Sequence, residues 1–389
     1  MNRRNFLFLT AAAGVCAVAP SAFAVAHQTQ VRSSANILIL VELKGGNDGL
    51  NTVIPFADPA YAALRPKIGI RREQVVQLDD RTGLHPAMQS LMPLWRDRQL
   101  AIVQGVGYPQ PNLSHFRSAE IWETASRSDQ YLRDGWLARS FGTHEPLAAT
   151  QPLSAQRVAR GAAVTVIGSA EMGPFTIGGR GFVYDSSHGF SYPFPRGSPA
   201  ALAIPSPFHT QLFKTQFPAG TFGTSVRTAM HMLASDASLG SVSQALRGVS
   251  VIRLTLNGFD THQNQPGHHA SLLRQLSEGI VAIRSALTEA GCWNQTLVMT
   301  YSEFGRRPRE NSDRGTDHGT VAPHFLTGGR VKGGLYGVAP ALARLDGNSN
   351  LPVGVDFREL YATVLGPWLN LDSTAVLGQR FKTLPLLKL

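Results

Sequence analysis

Five short runs of the chain are apolar nearly throughout: residues 37–43, 100–106, 163–167, 250–256 and 296–301. Their length and β-branched content predict strands buried on both faces. Between them, apolar residues recur at helical spacing over 86–96, 114–125, 225–247, 268–290 and 356–369, the stripe an amphipathic helix needs to cover a sheet. This alternation predicts an α/β fold, a mostly parallel central sheet flanked by helices on both faces. In such folds ligands gather at the carboxyl ends of strands, so the residues just past the end of each apolar run matter most.

One stretch breaks the pattern. Residues 168–222 are rich in Gly, Pro, Ser and aromatics without a sustained period, and read as long loops or a cap over the sheet edge, within a single domain spanning 33–389. The N-terminus differs again: "MNRRNFLFLTAAAGVCAVAPSAFA" carries Arg3-Arg4, a short apolar stretch and small residues before Ala24. This is the pattern of a twin-arginine export signal covering residues 1–24, and it implies a periplasmic or secreted protein. An uncleaved anchor is the alternative, although the apolar stretch is short for a membrane span. No later segment is long and apolar enough to cross a membrane. Without the signal, Cys292 is the one cysteine left, so no intrachain disulfide is expected and stability must come from core burial, with a metal as an optional addition.

Of 389 residues, 43% are hydrophobic and 16% charged, which suits a globular protein with a large core and excludes a disordered one. The formal net charge is +10. Its Lys and Arg residues are scattered, with no basic run interleaved with aromatics, so nucleic acid is not an expected partner; an anionic small molecule or polymer is.

The strand ends hold the candidate chemistry. After 37–43 comes "LKGGNDGLN", where glycines frame Asp48; it is either a metal ligand or the cap of an Asx-turn. After 250–256 comes "GFDTHQ", where Asp260 and His262, two residues apart, point to the same side of an extended chain. A carboxylate and an imidazole converging there suit a divalent ion. After 296–301 comes "SEFGRRPREN", with Glu303 as a third acid and Arg306, Arg307 and Arg309 able to hold a tetrahedral anion. "RGTDHGTVAPHFLTGG" sets Asp317 and His318 between glycines before an apolar segment in which His324 reads as a satisfied core histidine. In "YPQPNLSHFRSAEIWETA", Ser114 stands where a loop becomes a helix, either as an N-cap or as a nucleophile, with Arg117 one turn on.

Taken together, "LKGGNDGLNTVIP", "SHFRSAEIWET", "GFDTHQ", "SEFGRRPREN" and "GTDHGTVAPHFLTGG" resemble a group of exported bacterial proteins. These carry a twin-arginine signal and one domain of unassigned function within the alkaline phosphatase-like superfamily. The resemblance runs from about Asn36 to Leu369. It implies an alkaline phosphatase-like sandwich acting on a phosphate or sulfate ester, with Ser114 and Arg117 as catalytic residues. It also implies divalent ions, two in the superfamily, held by Asp48, Asp260, His262, Glu303, Asp317 and His318. Asn51, His115, Arg306 and Arg307 are the candidate substrate contacts. The sequence departs from the superfamily pattern in three ways. The Asp260/His262 spacing is short. Glu303-Phe304 stands where an Asp-His pair is usual, with Asp317 as a replacement ligand. The sulfatase signature of Cys or Ser followed by x-Pro-x-Arg is absent. Carboxylates outnumbering imidazoles favour Mn²⁺, Mg²⁺ or Ca²⁺ over zinc. The other expectation is a non-catalytic exported binding protein that keeps the fold with a degenerate metal site.

Overall fold

The computed structural model describes residues 36–132, 135–141, 163–166, 213–235 and 249–388. The proposed signal 1–24, and the cap apart from residues 213–222, lie outside the described residues.

All five apolar runs are strands of one sheet: β1 (Ile37–Lys44), β2 (Leu100–Gly107), β3 (Ala163–Val166), β4 (Val249–Asn257) and β5 (Thr296–Tyr301). Three more complete it, β6 (Ala322–Thr327), β7 (Gly334–Gly337) and β8 (Val355–Asp356), to give eight strands in the order β7-β2-β6-β5-β1-β4-β3, with β8 pairing β2. β1 lies in the middle, parallel to β4 and β5. β3 runs parallel to β4, and β7 and β8 run parallel to β2. Among the described strands of this sheet, only β6 is antiparallel to its neighbours, β2 and β5. The fold is thus α/β around a mostly parallel sheet.

The hydrophobic pattern does not predict β6. Pro323 and His324 interrupt its apolar run, and proline has no N–H for a sheet ladder. The chain absorbs this as an irregularity, the register with β2 shifting between Ala322 and His324. The reversed direction has a consequence for the site. β6 starts at the edge where β1, β4 and β5 end, so the residues before it, Asp317 and His318, arrive on the same rim.

The two faces of β1 show how the sheet is sandwiched. Ile37, Ile39, Val41 and Leu43 enter one buried cluster, Leu38 and Leu40 the other, as period-two alternation requires. The first cluster is closed by α2 (Gly220–Ser235) and α3 (Gln265–Glu289) through Val226, Met230, Leu273, Leu276 and Ile280. α1 (His115–Thr124) and α4 (Phe357–Thr363) close the second through Ile121, Trp122, Leu360 and Tyr361.

Of the expected helices, 86–96 begins as a 3₁₀ turn (Pro86–Leu91) and becomes α over Met92–Arg96. The last continues past α4 as a π-turn, Val364–Trp368, around Pro367. α2 covers the first part of 225–247, and residues 236–248 lie outside the described residues. His324 is in the core as expected, but not satisfied. Both ring nitrogens are buried without a hydrogen-bond partner, the ring meets Trp122 edge-on, and burial pushes its pKa down to about 3, so it is neutral. No helix among the described residues is long and apolar enough to cross a membrane.

Candidate metal centre

Glycine geometry brings the strand ends together. Past β1 the chain turns through Gly45 and Gly46 at φ of +119° and +84°, conformations L side chains rarely adopt. A Cβ on Gly45 would lie 2.3 Å from the Asp260 backbone nitrogen, so the turn after β1 presses directly on the turn after β4. The Gly45 N–H also donates to Glu303 Oε1 at 2.8 Å, joining the turn after β5. Glu303 in turn holds the first residue of α1, His115, through its Nδ1 at 2.9 Å.

Three residues with metal-ligating atoms converge there. Selected ligand atoms of His115, Asp260 and His318 all lie within 4.8 Å of one another, a set able to hold a metal ion. Both imidazoles are oriented from behind. His115 Nδ1–H donates to Glu303, and His318 Nδ1–H to the Leu113 carbonyl at 2.8 Å. Each ring therefore presents its Nε2 lone pair inward, the arrangement that fixes the tautomer of a metal-ligating histidine. His115 Nε2 is buried with no hydrogen-bond partner. It lies 3.4 Å from Asp260 Oδ2, and His318 Nε2 lies 3.2 Å from Asp260 Oδ1. Tetrahedral ligands about 2.0–2.1 Å from a zinc-sized ion stand about 3.3 Å apart, a spacing each imidazole nitrogen has to a different oxygen of Asp260. His262 borders the same carboxylate, with Nε2 3.0 Å from Asp260 Oδ1 and 3.0 Å from His318 Nε2. Its Nδ1 lies 3.5 Å from Asp317, which is half exposed.

The charge states suit a cation. Burial raises the Asp260 pKa, but the hydrogen bond and charge of Arg306 oppose it and the carboxyl is held down at about 2, so it is ionised. The hydrogen bond to Glu303 raises His115 against its partial burial. Burial lowers His318, with the Leu113 carbonyl opposing it.

Several expected site residues do something else. Asp48 is fully buried, with Oδ2 2.6 Å from the equally buried Arg65 guanidinium and accepting also from Gln265 Nε2. Burial raises its pKa, yet the Arg65 charge and hydrogen bond hold it below the usual carboxylate range. Its counterion is an arginine, and it is not in the three-residue cluster. Asn51 belongs to the same network, accepting from Tyr61 and Arg65 and donating to the Ile68 carbonyl, and is buried. Arg306, expected to bind substrate, has a side chain with 0% exposure. It donates to the carbonyls of Gly45, Gly46, Phe259 and Thr316 and to Asp260 Oδ1, clamping three turns together. Glu303 holds His115 and Gly45 through Oε1, and its Oε2 has no hydrogen-bond partner.

Arg117 also turns out to be scaffolding. Its Nη2 donates to the carbonyls of Arg127, Ser128 and Gln130, it pairs with Glu120 at 2.8 Å, and it lies over the Tyr131 ring. Ser114 is the exposed residue preceding α1, with no side-chain capping hydrogen bond. Leu113 and His115 on either side of it are both tied to the cluster. Arg307 is half-buried, its Nε lacking a partner. Sequence reasoning misses Arg65, Gln265 and the Leu113 carbonyl. A lone arginine after a six-residue helix and a main-chain oxygen carry no pattern.

A family model described as "Protein of unknown function (DUF1501)" matches residues 228–379, the part that carries Asp260, Glu303 and His318 but not His115. No curated protein matches the chain. Among solved structures, Ps i-CgsB is similar with a TM-score of 0.38 and 11% identity, over 89% of this chain and 73% of its own. BT33494S-sulf, from glycosaminoglycan metabolism in Bacteroides thetaiotaomicron, has a TM-score of 0.36 and 12% identity over 85% and 72%. PH0037 of Pyrococcus horikoshii has a TM-score of 0.30 and 11% identity over 76% and 86%. TM-scores of this size carry no assignment, and the chemistry has to be argued from the side chains.

Proposed function

We propose that the protein is an exported, alkaline phosphatase-like hydrolase of phosphate or sulfate esters that uses a divalent cation on His115, Asp260 and His318. The observation that carries this reading is the pair of imidazoles whose Nδ1 atoms are fixed by Glu303 and the Leu113 carbonyl, leaving two Nε2 lone pairs beside an ionised carboxylate. With two imidazoles and one carboxylate, the donor set of the cluster is rich in imidazole. That favours Zn²⁺, with Mn²⁺ next, over Mg²⁺ or Ca²⁺. A bound divalent cation would supply Lewis-acid polarisation of the ester and charge for the developing oxyanion. Asp260 neutralises part of that charge, and Arg306 keeps Asp260 ionised and in place. Ser114, before a ten-residue helix, is the proposed nucleophile, where helix N–H groups favour an anion. Its attack would displace the alcohol, and water would then release phosphate or sulfate.

A second reading has its own support. Asp48 and Asp260 each already have an arginine nitrogen at 2.6 Å, which suits a non-catalytic binding protein whose carboxylates need no ion.

Metal content of mature protein recovered after export, followed by turnover of 4-nitrophenyl phosphate and 4-nitrophenyl sulfate, separates the two. The hydrolase reading expects about one ion per chain. It also expects Ser114→Ala to lose at least about a thousandfold in kcat while its metal content stays the same. Stoichiometric metal with no change in Ser114→Ala would remove the serine from the mechanism, and a metal-free, inert protein would favour the binding role. Glu303→Gln keeps an acceptor for His115 but removes the charge behind it. Chelator competition should show metal affinity falling about tenfold or more, and unchanged affinity would mean that Glu303 does not support the ligand.

A further inference from the structure

Just past the end of β2 stands Tyr108, a phenol with 1% exposure to which the proposed mechanism gives no role. Its ring meets Phe357 edge-on at 5.9 Å, and its hydroxyl meets three groups. The Asn112 N–H donates to it at 3.1 Å, and the Asn112 carbonyl and Ser118 Oγ lie at 3.0 and 2.7 Å. Ser118, buried in the first turn of α1, gives its one hydroxyl proton to the Glu303 main-chain carbonyl. In the 2.7 Å contact Ser118 must therefore accept and Tyr108 donate. Burial pushes the Tyr108 phenol above its ordinary value, so that proton is retained at neutral pH. The Asn112 N–H, the two hydroxyls and the Glu303 carbonyl thus form a chain whose donors all run one way, an arrangement in which each bond polarises the next.

Both ends of this chain reach the groups that orient the histidines of the cluster. At one end Asn112 is held through its N–H and its carbonyl, and the next residue, Leu113, supplies the carbonyl that accepts from His318 Nδ1. The Asn112 side chain also accepts from the Ser114 N–H at 2.9 Å. At the other end is the main chain of Glu303, whose side chain accepts from His115 Nδ1. The two imidazoles are thus backed from different parts of the chain, and their mutual aim depends on what links Leu113 to Glu303. The Tyr108 hydroxyl is such a link.

The geometry assigns to Tyr108 the role of a positioning residue: its hydroxyl holds the Leu113 carbonyl and Glu303 in register, and so aims the Nε2 atoms of His318 and His115 at a common point. The cation at that point rests on the reading proposed above, whereas the orientation of the rings does not. Tyr108→Phe keeps the ring and removes the hydroxyl, and Ser118→Ala cuts the chain one step later. Tyr336→Phe, which loses a hydroxyl that donates to the Lys332 carbonyl, is the control. Zn²⁺ affinity would be measured by chelator competition. The tautomers of His115 and His318 would be read by long-range proton–nitrogen NMR on metal-free protein at alkaline pH, where both rings are neutral. Tyr108→Phe and Ser118→Ala should each bind Zn²⁺ about tenfold or more weakly, with both histidines moving from the Nδ1–H tautomer toward a mixture. The double variant should be no worse than the weaker single one, because both changes cut one chain, and the control should match the wild type. Folded variants with wild-type affinity and unmoved tautomers, or a double variant whose losses add, would overturn the assignment. Should Tyr108→Phe fail to fold, Ser118→Ala carries the same test. A wild type that binds no Zn²⁺ would end the cation reading, and the tautomers alone would then decide for or against Tyr108. Zn²⁺ bound without turnover of the 4-nitrophenyl esters would end the hydrolase reading and leave the assignment standing.

Discussion

Replacing Asp260 by asparagine should abolish binding of the proposed divalent cation and lower the melting temperature of the protein in the same experiment. Asp260 is the single carboxylate in the three-residue cluster, and its two oxygens face His115, His262, His318 and Arg306 at distances from 2.6 to 3.4 Å. Asparagine keeps the shape but not the charge. Metal affinity should fall by at least about a hundredfold, at or beyond the upper end of what loss of a supporting group does to a metal site. The stability effect arises from Arg306, fully buried, which loses its carboxylate partner. Because Asp260 is half exposed and Arg306 keeps four backbone carbonyls, the loss should be about 1–3 kcal/mol, less than for a pair buried on both sides. Elemental analysis and thermal unfolding read the two effects separately. Full metal retention in Asp260→Asn would remove this residue from the centre, whatever happened to stability.

That one residue lies both in a candidate cation cluster and beside a buried arginine bears on which parts of the site are legible in sequence. The strands are, because a run such as 37–43 must be apolar on both faces in the middle of a parallel sheet. The gathering of Asp260, His262 and His318 on one rim is, because strand ends are where such a sheet offers chemistry. Pairing across distance is not. Asp48 and Asp260 look alike in sequence, an acid after a core strand, yet Asp48 ends against Arg65, seventeen residues on. His115 reads as a substrate contact in sequence because nothing local marks its Nδ1 as facing Glu303, 188 residues away. β6 leaves no strand pattern because its Pro323 is tolerated only through a shift in register with β2. Local pattern identifies elements, while the partner of a buried charge is decided by packing.

The Asp48–Arg65 pair turns this distinction into a measurement. Both side chains have 0% exposure, and Arg65 also donates to the carbonyls of Pro308 and Arg307 and to Asn51, so it ties the turn after β1 to the loop after Arg306. Arg65→Met leaves a carboxylate buried without its cation, which should cost about 3–5 kcal/mol, a large part of the roughly 5–15 kcal/mol that holds a domain together. The sign with pH follows from Asp48, whose pKa is lowered in the folded protein from 3.8. Its pairing contributes stability above the unfolded-state value, and that contribution is lost as pH falls through the lower folded value. The stability gap between Arg65→Met and the wild type should therefore narrow on acid titration, because the wild type loses its pairing while protonation relieves the unpaired buried carboxylate of the variant. The double variant Asp48→Asn/Arg65→Met removes both charges and should recover part of the loss, since the penalty lies in leaving one charge alone. Its metal content decides the role of Asp48. If the carboxylate serves only the arginine, the double variant binds the same metal as the wild type with unchanged affinity. If Asp48 is a ligand after all, the metal is lost even where stability is recovered, and the opening of β1 onto its glycine turn would serve the ion as well as the fold.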